Sequence, residues 1–253
     1  LKLRAGYGVS GNDNIGNYNP YTTYRTHPQQ AAYDFTGANT KATAGFIPGN
    51  LGNEDVTWET TKTLNVGVDG VLLDRSLSVS IDVWQRLTSD MLFQDPIPNV
   101  MGIATAPYIN IGEMKNNGFD IELGYNNTAF DGKLKYNITG TISHYQNEIT
   151  KLSTDPKRTV DAASYRQKTY TRYAVGTAYP EFFGFIVDGI FQKTEEAAAH
   201  PKFGTTTYNA PGHYKYRDIS GPQGVPDGII TADDRTFIGS PHPDFTGGLN
   251  IDL

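Results

Sequence analysis

The chain contains no cysteine in its 253 residues, which excludes a disulfide framework, thiolate-ligated zinc, iron–sulfur clusters and cysteine catalysis. Basic charge is also scarce. Its 21 Lys and Arg face 27 Asp and Glu, for a formal charge of −6, so nothing would neutralise a run of phosphates and nucleic acid is not an expected partner. Long apolar runs are missing. The longest, such as Val71–Leu73, has three residues, whereas a spanning helix needs roughly 20; the sequence holds neither a transmembrane helix nor a signal-peptide core. The histidines His27, His144, His200, His213 and His242 lie far apart, without an H-E-x-x-H pair, and no G-x-S-x-G elbow occurs. Metal-assisted and nucleophilic catalysis therefore have no support, and the chain is not expected to be an enzyme.

What is abundant points to strands and turns. The chain carries 28 Thr, 27 Gly, 18 Asn, 16 Tyr and 12 Phe, a usage that favours an all-β fold. The mean hydropathy of −0.46 resembles that of a soluble protein. That average is blind to alternation, in which a lipid face hides behind an equal number of polar residues.

Alternation is pervasive. Leu1, Leu3, Ala5, Tyr7 and Val9 alternate with Lys2, Arg4, Gly6, Gly8 and Ser10, the period of a strand with one apolar and one polar face. The pattern recurs at Leu64–Asp69, Leu77–Trp84, Phe119–Asn126, Leu134–Ser143 and Phe245–Leu253, giving six expected strands of about 9 to 13 residues. Ten tilted residues climb about 25 Å, the height of the apolar band on an outer-membrane barrel. The connections alternate as well: long over Gly11–Thr61, tight at Leu73–Arg75, long over Gln94–Asn117, tight at Asn127–Gly132, and very long over residues 146–244. Such barrels place long loops at one end and short turns at the other. The expected fold is a segment of a large antiparallel transmembrane β-barrel with long extracellular loops. Six strands would leave two open edges, which hydrocarbon does not satisfy, so the sequence reads as part of something larger.

The sharpest local chemical signal is Asp218–Asp234. With Pro222–Pro226 treated as an insertion, Asp218, Ser220, Asp227, Ile229, Thr231 and Asp234 fall at the ligand positions of an EF-hand-like calcium loop, and Gly228 falls at its turn. An Asx-rich solvated turn on a long extracellular loop fits equally well. No cofactor is required; structural calcium is the one candidate. Gly6–Gly11 matches G-x-G-x-x-G, but Asn12–Pro20 is a loop rather than the helix a dinucleotide fingerprint needs. Thr194–Ala199 reads as a single N-capped helix inside the last excursion.

Seven segments together resemble the C-terminal barrel region of SusC/RagA-type TonB-dependent outer-membrane transporters. They are Leu1–Asn12, Leu51–Asn53, Trp58–Lys62, Asp82–Leu92, Asn110–Phe119, Asp188–Phe191 and Ile238–Phe245, in the family's order and spread over nearly the whole chain. The resemblance implies the outer membrane of a Bacteroidota-like Gram-negative bacterium, a barrel of about 22 strands, and a separate plug domain that is not in this sequence. It implies import of oligosaccharide or peptide beneath a SusD-like lipoprotein lid, driven by TonB–ExbB–ExbD through a part absent from these residues. On that resemblance the loop aromatics Tyr18, Tyr21, Tyr24, Trp58 and Tyr108 are candidate contacts to substrate or lid. The reading from a different class is a soluble β-sandwich carbohydrate-binding module, motivated by the same alternation, aromatics and acidic loop.

Overall fold

The structure is a computed structural model of the whole chain; it describes every residue except 14–18, 28, 30, 39–41, 95, 96, 99, 101, 103, 153–156, 166, 167, 205–208 and 222. It divides into two compact units, residues 1–158 with 244–253, and residues 159–243.

The first unit is built on long strands. Strand β1 (Lys2–Asn12) leads into a loop carrying four short strands, β2 (Tyr24–Thr26), β3 (Ala32–Tyr33), β4 (Thr43–Ala44) and β5 (Phe46–Pro48). Then come β6 (Glu59–Leu72), β7 (Leu77–Gln94), β8 (Tyr108–Ala129) and β9 (Leu134–Lys151). After the second unit the chain returns as β18 (Thr246–Asp252). These six long strands form one antiparallel sheet in the order β1-β6-β7-β8-β9-β18, so each expected strand exists and pairs with its neighbour in the chain.

The connections also match the expectation. The turns after β6 and β8 are tight, with Leu73, Asp74, Arg75, Phe130 and Asp131 at positive φ and Gly132 at φ 84°, while every long connection leaves from the opposite end. The lengths need correction. Strands β7, β8 and β9 run to 18, 22 and 18 residues instead of about 9 to 13, and the last part of the loop expected over Gln94–Asn117, from Tyr108 on, is strand β8. The apolar alternation stops where the sheet leaves hydrocarbon, but ladder hydrogen bonding continues through polar residues such as Lys115, Asn116 and Asn117 paired with Leu87, Arg86 and Gln85. A bulge at Asp90, whose φ is 57°, shifts the register near the upper end.

The second unit is the excursion after β9, and it has an ordered core of its own. Strands β10 (Thr159–Tyr165), β11 (Lys168–Ala174) and β12 (Glu181–Phe185) form a four-stranded sheet with β17 (Arg235–Gly239). Between them β13 (Val187–Ile190) pairs with β15 (Tyr214–Tyr216), and β14 (Lys202–Phe203) pairs in parallel with β16 (Ile229–Ile230). Helix α1 (Thr194–Ala199) is present, but Lys193 rather than Thr194 occupies its N-cap and makes no side-chain capping bond. Glu196 reaches back instead to accept from the Gln192 N–H at 3.0 Å. Phe191, Ile230 and Ala197 are buried in this unit, and the guanidinium groups of Arg172 and Arg235 both lie over the Phe183 ring, 3.9 and 4.7 Å from its centre.

Candidate functional site: a two-faced wall and its long-loop end

Register places the apolar residues of all six strands in shared rows. Ala5, Val66, Val83, Phe119 and His144 lie side by side, with Leu3, Val68, Ile81, Ile121 and Ile142 forming the next row. Below them run Val79, Leu123, Gly140 and Leu249, then Leu72, Leu77, Tyr125, Ile138 and Ile251. From the row of Tyr7 and Leu64 down to the tight turns, this face carries no Asp, Glu, Lys or Arg. Its side chains are open: Leu3 is 78 % exposed, Tyr7 68 %, Val83 57 % and Leu249 70 %. A soluble sheet buries such a face, because apolar surface left in water costs roughly 25 cal/mol per Å². Aromatic pairs sit near both ends, with the rings of Phe119, His144 and Phe245 in tilted contact at 5.0–5.6 Å above and Tyr125 against Tyr136 at 6.1 Å below.

The opposite face carries the charge. Arg4, Asp69, Asp82, Asp120 and Glu122 alternate with the apolar set, joined by Ser78, Ser80 and Trp84. One Arg4 nitrogen, Nη2, donates to Asp69 at 2.8 Å, to Ser80 Oγ at 3.1 Å and to Asp82 at 2.6 Å, linking three strands. Trp84 lies over Gly118, where a Cβ would come within 2.5 Å of the ring, and its Nε1 donates to Asp120 at 2.9 Å.

The long-loop end is tied down by amides. Asn110 donates to the Thr57 and Asp90 carbonyls at 2.8 and 2.7 Å and accepts from the Thr57 N–H at 2.8 Å. Thr105 donates to the Gly49 carbonyl at 2.7 Å and accepts from the Leu51 N–H at 3.0 Å, joining the first long loop to the second. Of the candidate contacts, Tyr21 and Tyr24 are exposed at 60 and 67 %, and Tyr108 is half-buried with its carbonyl accepting from Asn53 at 2.9 Å. Trp58 is exposed and its ring covers Gly11 of β1, where a Cβ would approach Cε3 to 2.7 Å. Tyr18 lies outside the described residues. Phe35 and Phe46, also open, extend the aromatic set in the first loop, although the sequence pattern does not single them out. Their flanking strands are only two or three residues long, too short to show a period.

In the second unit, Asp218 accepts from the Asp227 and Gly228 N–H groups at 3.3 and 2.6 Å, and Asp227 accepts from the Ile229 N–H at 3.0 Å. Asp234 is fully buried and accepts from Ile219, Ser220 and Thr231 at 2.8, 3.0 and 2.7 Å. Burial pushes its pKa up, but these three bonds to the charged form outweigh that and hold it below the usual carboxylate range. The carboxylates are thus spent on backbone N–H groups, and among the described residues no three His, Asp or Glu side chains gather to hold a metal. The same logic holds Asp188 low beside Arg217 and Glu196 low beside Lys215.

A sheet with one open apolar face, uncharged from the Tyr7 row to the tight turns, and with every long connection at one end is the wall of a membrane barrel, and the comparison with known proteins agrees. Residues 1–235 match the family model described as TonB dependent receptor-like, beta-barrel. The chain belongs to this family. TonB-dependent receptor P3 of Formosa agariphila is 30 % identical over 257 residues, covering 100 % of this chain and 24 % of that protein. TonB-dependent receptor SusC of Bacteroides thetaiotaomicron is 33 % identical over 159 residues, covering 60 % of this chain and 15 % of that protein. Among solved structures, the RagAB peptide importer in its open-open state aligns with a TM-score of 0.71 at 25 % identity, covering 98 % of this chain and 24 % of that one. The chain spans about a quarter of the length of the receptor and importer relatives it matches along its whole length. The soluble sandwich finds no support in these matches.

Proposed function

We propose that these residues form part of the barrel wall of a TonB-dependent importer in the outer membrane, working with a SusD-like surface lipoprotein on oligosaccharide or peptide. The observation that carries this reading is the separation of charge between the two faces of one continuous sheet. The apolar face suits lipid, and the face with Arg4, Asp82, Asp120 and Glu122 suits a wet lumen. The RagAB peptide importer supports peptide as a class of cargo, while oligosaccharide and the lipoprotein lid rest on the resemblance of the seven segments to SusC/RagA-type transporters. Tyr21 and Tyr24 are open at the long-loop end, where they can touch lid or substrate together with Phe35 and Phe46. The drive from TonB–ExbB–ExbD is assigned to a part of the protein beyond these residues.

For the loop Asp218–Asp234 we infer a turn capped by its own carboxylates rather than a calcium cage; the six backbone bonds to Asp218, Asp227 and Asp234 favour it.

The test is uptake of labelled oligosaccharide and oligopeptide by cells carrying the full-length protein, with and without its lipoprotein partner. TonB-dependent uptake of either cargo supports the reading. A protein that is recovered in soluble form without detergent contradicts it.

A further inference from the structure

The first charged residues met on climbing the apolar face form one register row, Val9–Lys62–Leu87–Lys115–Glu148. Lys62 on β6 and Lys115 on β8 flank Leu87 on β7, so the lysine backbones, two strand spacings from each other, are about 10 Å apart, and their four-carbon stems let both ammonium groups meet one anion. Lys62 is exposed and Lys115 half-buried. Neither is ion-paired among the described residues. Glu148, the register partner of Lys115, is exposed and makes no ion pair with it, and the Glu113–Lys151 pair lies further up the sheet. By contrast, Arg4 on the opposite face is held by two carboxylates.

The rows beneath the lysines are graded in polarity. Directly below lie Gln85 and Asn117, joined by a 2.9 Å hydrogen bond, and below those lie Val83 and Phe119. Hydrocarbon, then neutral polar groups, then a fixed negative charge is the order of an anionic lipid from its chains to its headgroup. Charge complementarity at that height selects the occupant, since two unpaired cations on a chain of net charge −6 stand where lipid phosphates lie. Trp58, open over Gly11, sits near the same boundary as an interfacial aromatic.

We propose that Lys62 and Lys115 form a binding site for the phosphate of an anionic lipid in the leaflet around the long-loop end of the barrel. The proposal rests on the barrel reading for its orientation. It is tested with the full-length transporter, delipidated in neutral detergent and titrated with monophosphoryl lipid A, its dephosphorylated form, or inorganic phosphate, with bound ligand counted by native mass spectrometry. The variant is K62Q/K115Q; the control, K133Q/K202Q, removes the same charge from a tight turn and from the second unit. The wild type and the control should bind the phosphorylated lipid, more weakly in high salt, and the variant should lose at least about tenfold in affinity. Equal affinity in the variant, or equal binding of the dephosphorylated lipid, overturns the proposal. Binding of inorganic phosphate as tight as that of the lipid overturns the lipid as occupant. Failure of the barrel reading would show separately, as a protein that stays monodisperse without detergent.

Discussion

Arg4 on β1 reaches across the intervening strand to Asp82 on β7, at 2.6 Å, because the residue between them is Gly67. A Cβ at position 67 would lie 2.4 Å from Asp82 Oδ1 and 3.0 Å from Arg4 Nη2. The glycine is therefore the gap through which a polar-face ion pair ties three strands.

Substituting Gly67→Val is expected to break that tie, because the contact on the Asp82 side has no room for a branched side chain. Removing one partner of this half-buried pair leaves the other without its bond, so G67V and R4M should each lower the temperature at which the barrel unfolds, and R4M/D82L should recover part of the loss. Thermal unfolding of the full-length protein in detergent checks this.

The two faces should answer oppositely to charge. Ile121 and Glu122 are adjacent on β8 and belong to opposite faces. Ile121→Arg, near the middle of the apolar band, should destabilise insertion by about 2–4 kcal/mol, whereas Glu122→Arg should be close to neutral. Outer-membrane yield and reversible folding into lipid vesicles separate the two.

Asp234 should make its loop acid-sensitive. Its folded pKa lies below the unfolded value near 3.8, so its stabilisation is fully present above that value and is lost as pH falls through the lower, folded one. Proteolysis of the 218–234 loop should be flat from neutral pH down to about 5 and rise only in stronger acid. D234N, which loses the acceptor for the Thr231 N–H, should cost about 1–3 kcal/mol and raise cleavage at every pH. Chelator should leave the wild-type rate unchanged; a chelator-dependent rise would restore the calcium alternative.

Much of the first unit is legible in the sequence because its signal is local. In a strand the side-chain period is two, so the order of residues in Leu1–Val9 and Leu77–Val83 declares both element and face. Strand length is not legible above Phe119, where both faces become polar and alternation carries no information, although Lys115–Asn117 still pair with β7 and β9. The second unit is hidden for another reason. Its strands are two to seven residues long, and its core residues Phe191, Ala197 and Ile230 come from separated segments that only tertiary packing brings together. At the candidate site, the exposed tyrosines are visible as residues, but the Arg4–Gly67–Asp82 crossing depends on register, which alternation alone does not specify.

The central claim is that the apolar face meets lipid. Since this chain has no cysteine of its own, single cysteines placed at residues 63, 64, 65, 66 and 68 in an otherwise cysteine-free full-length transporter give an unambiguous reading. With a fluorophore on each and a lipid-borne quencher in the vesicle, quenching should be strong at Leu64, Val66 and Val68 and weak at Thr63 and Asn65. Uniform quenching by an aqueous agent at all five positions would contradict the account.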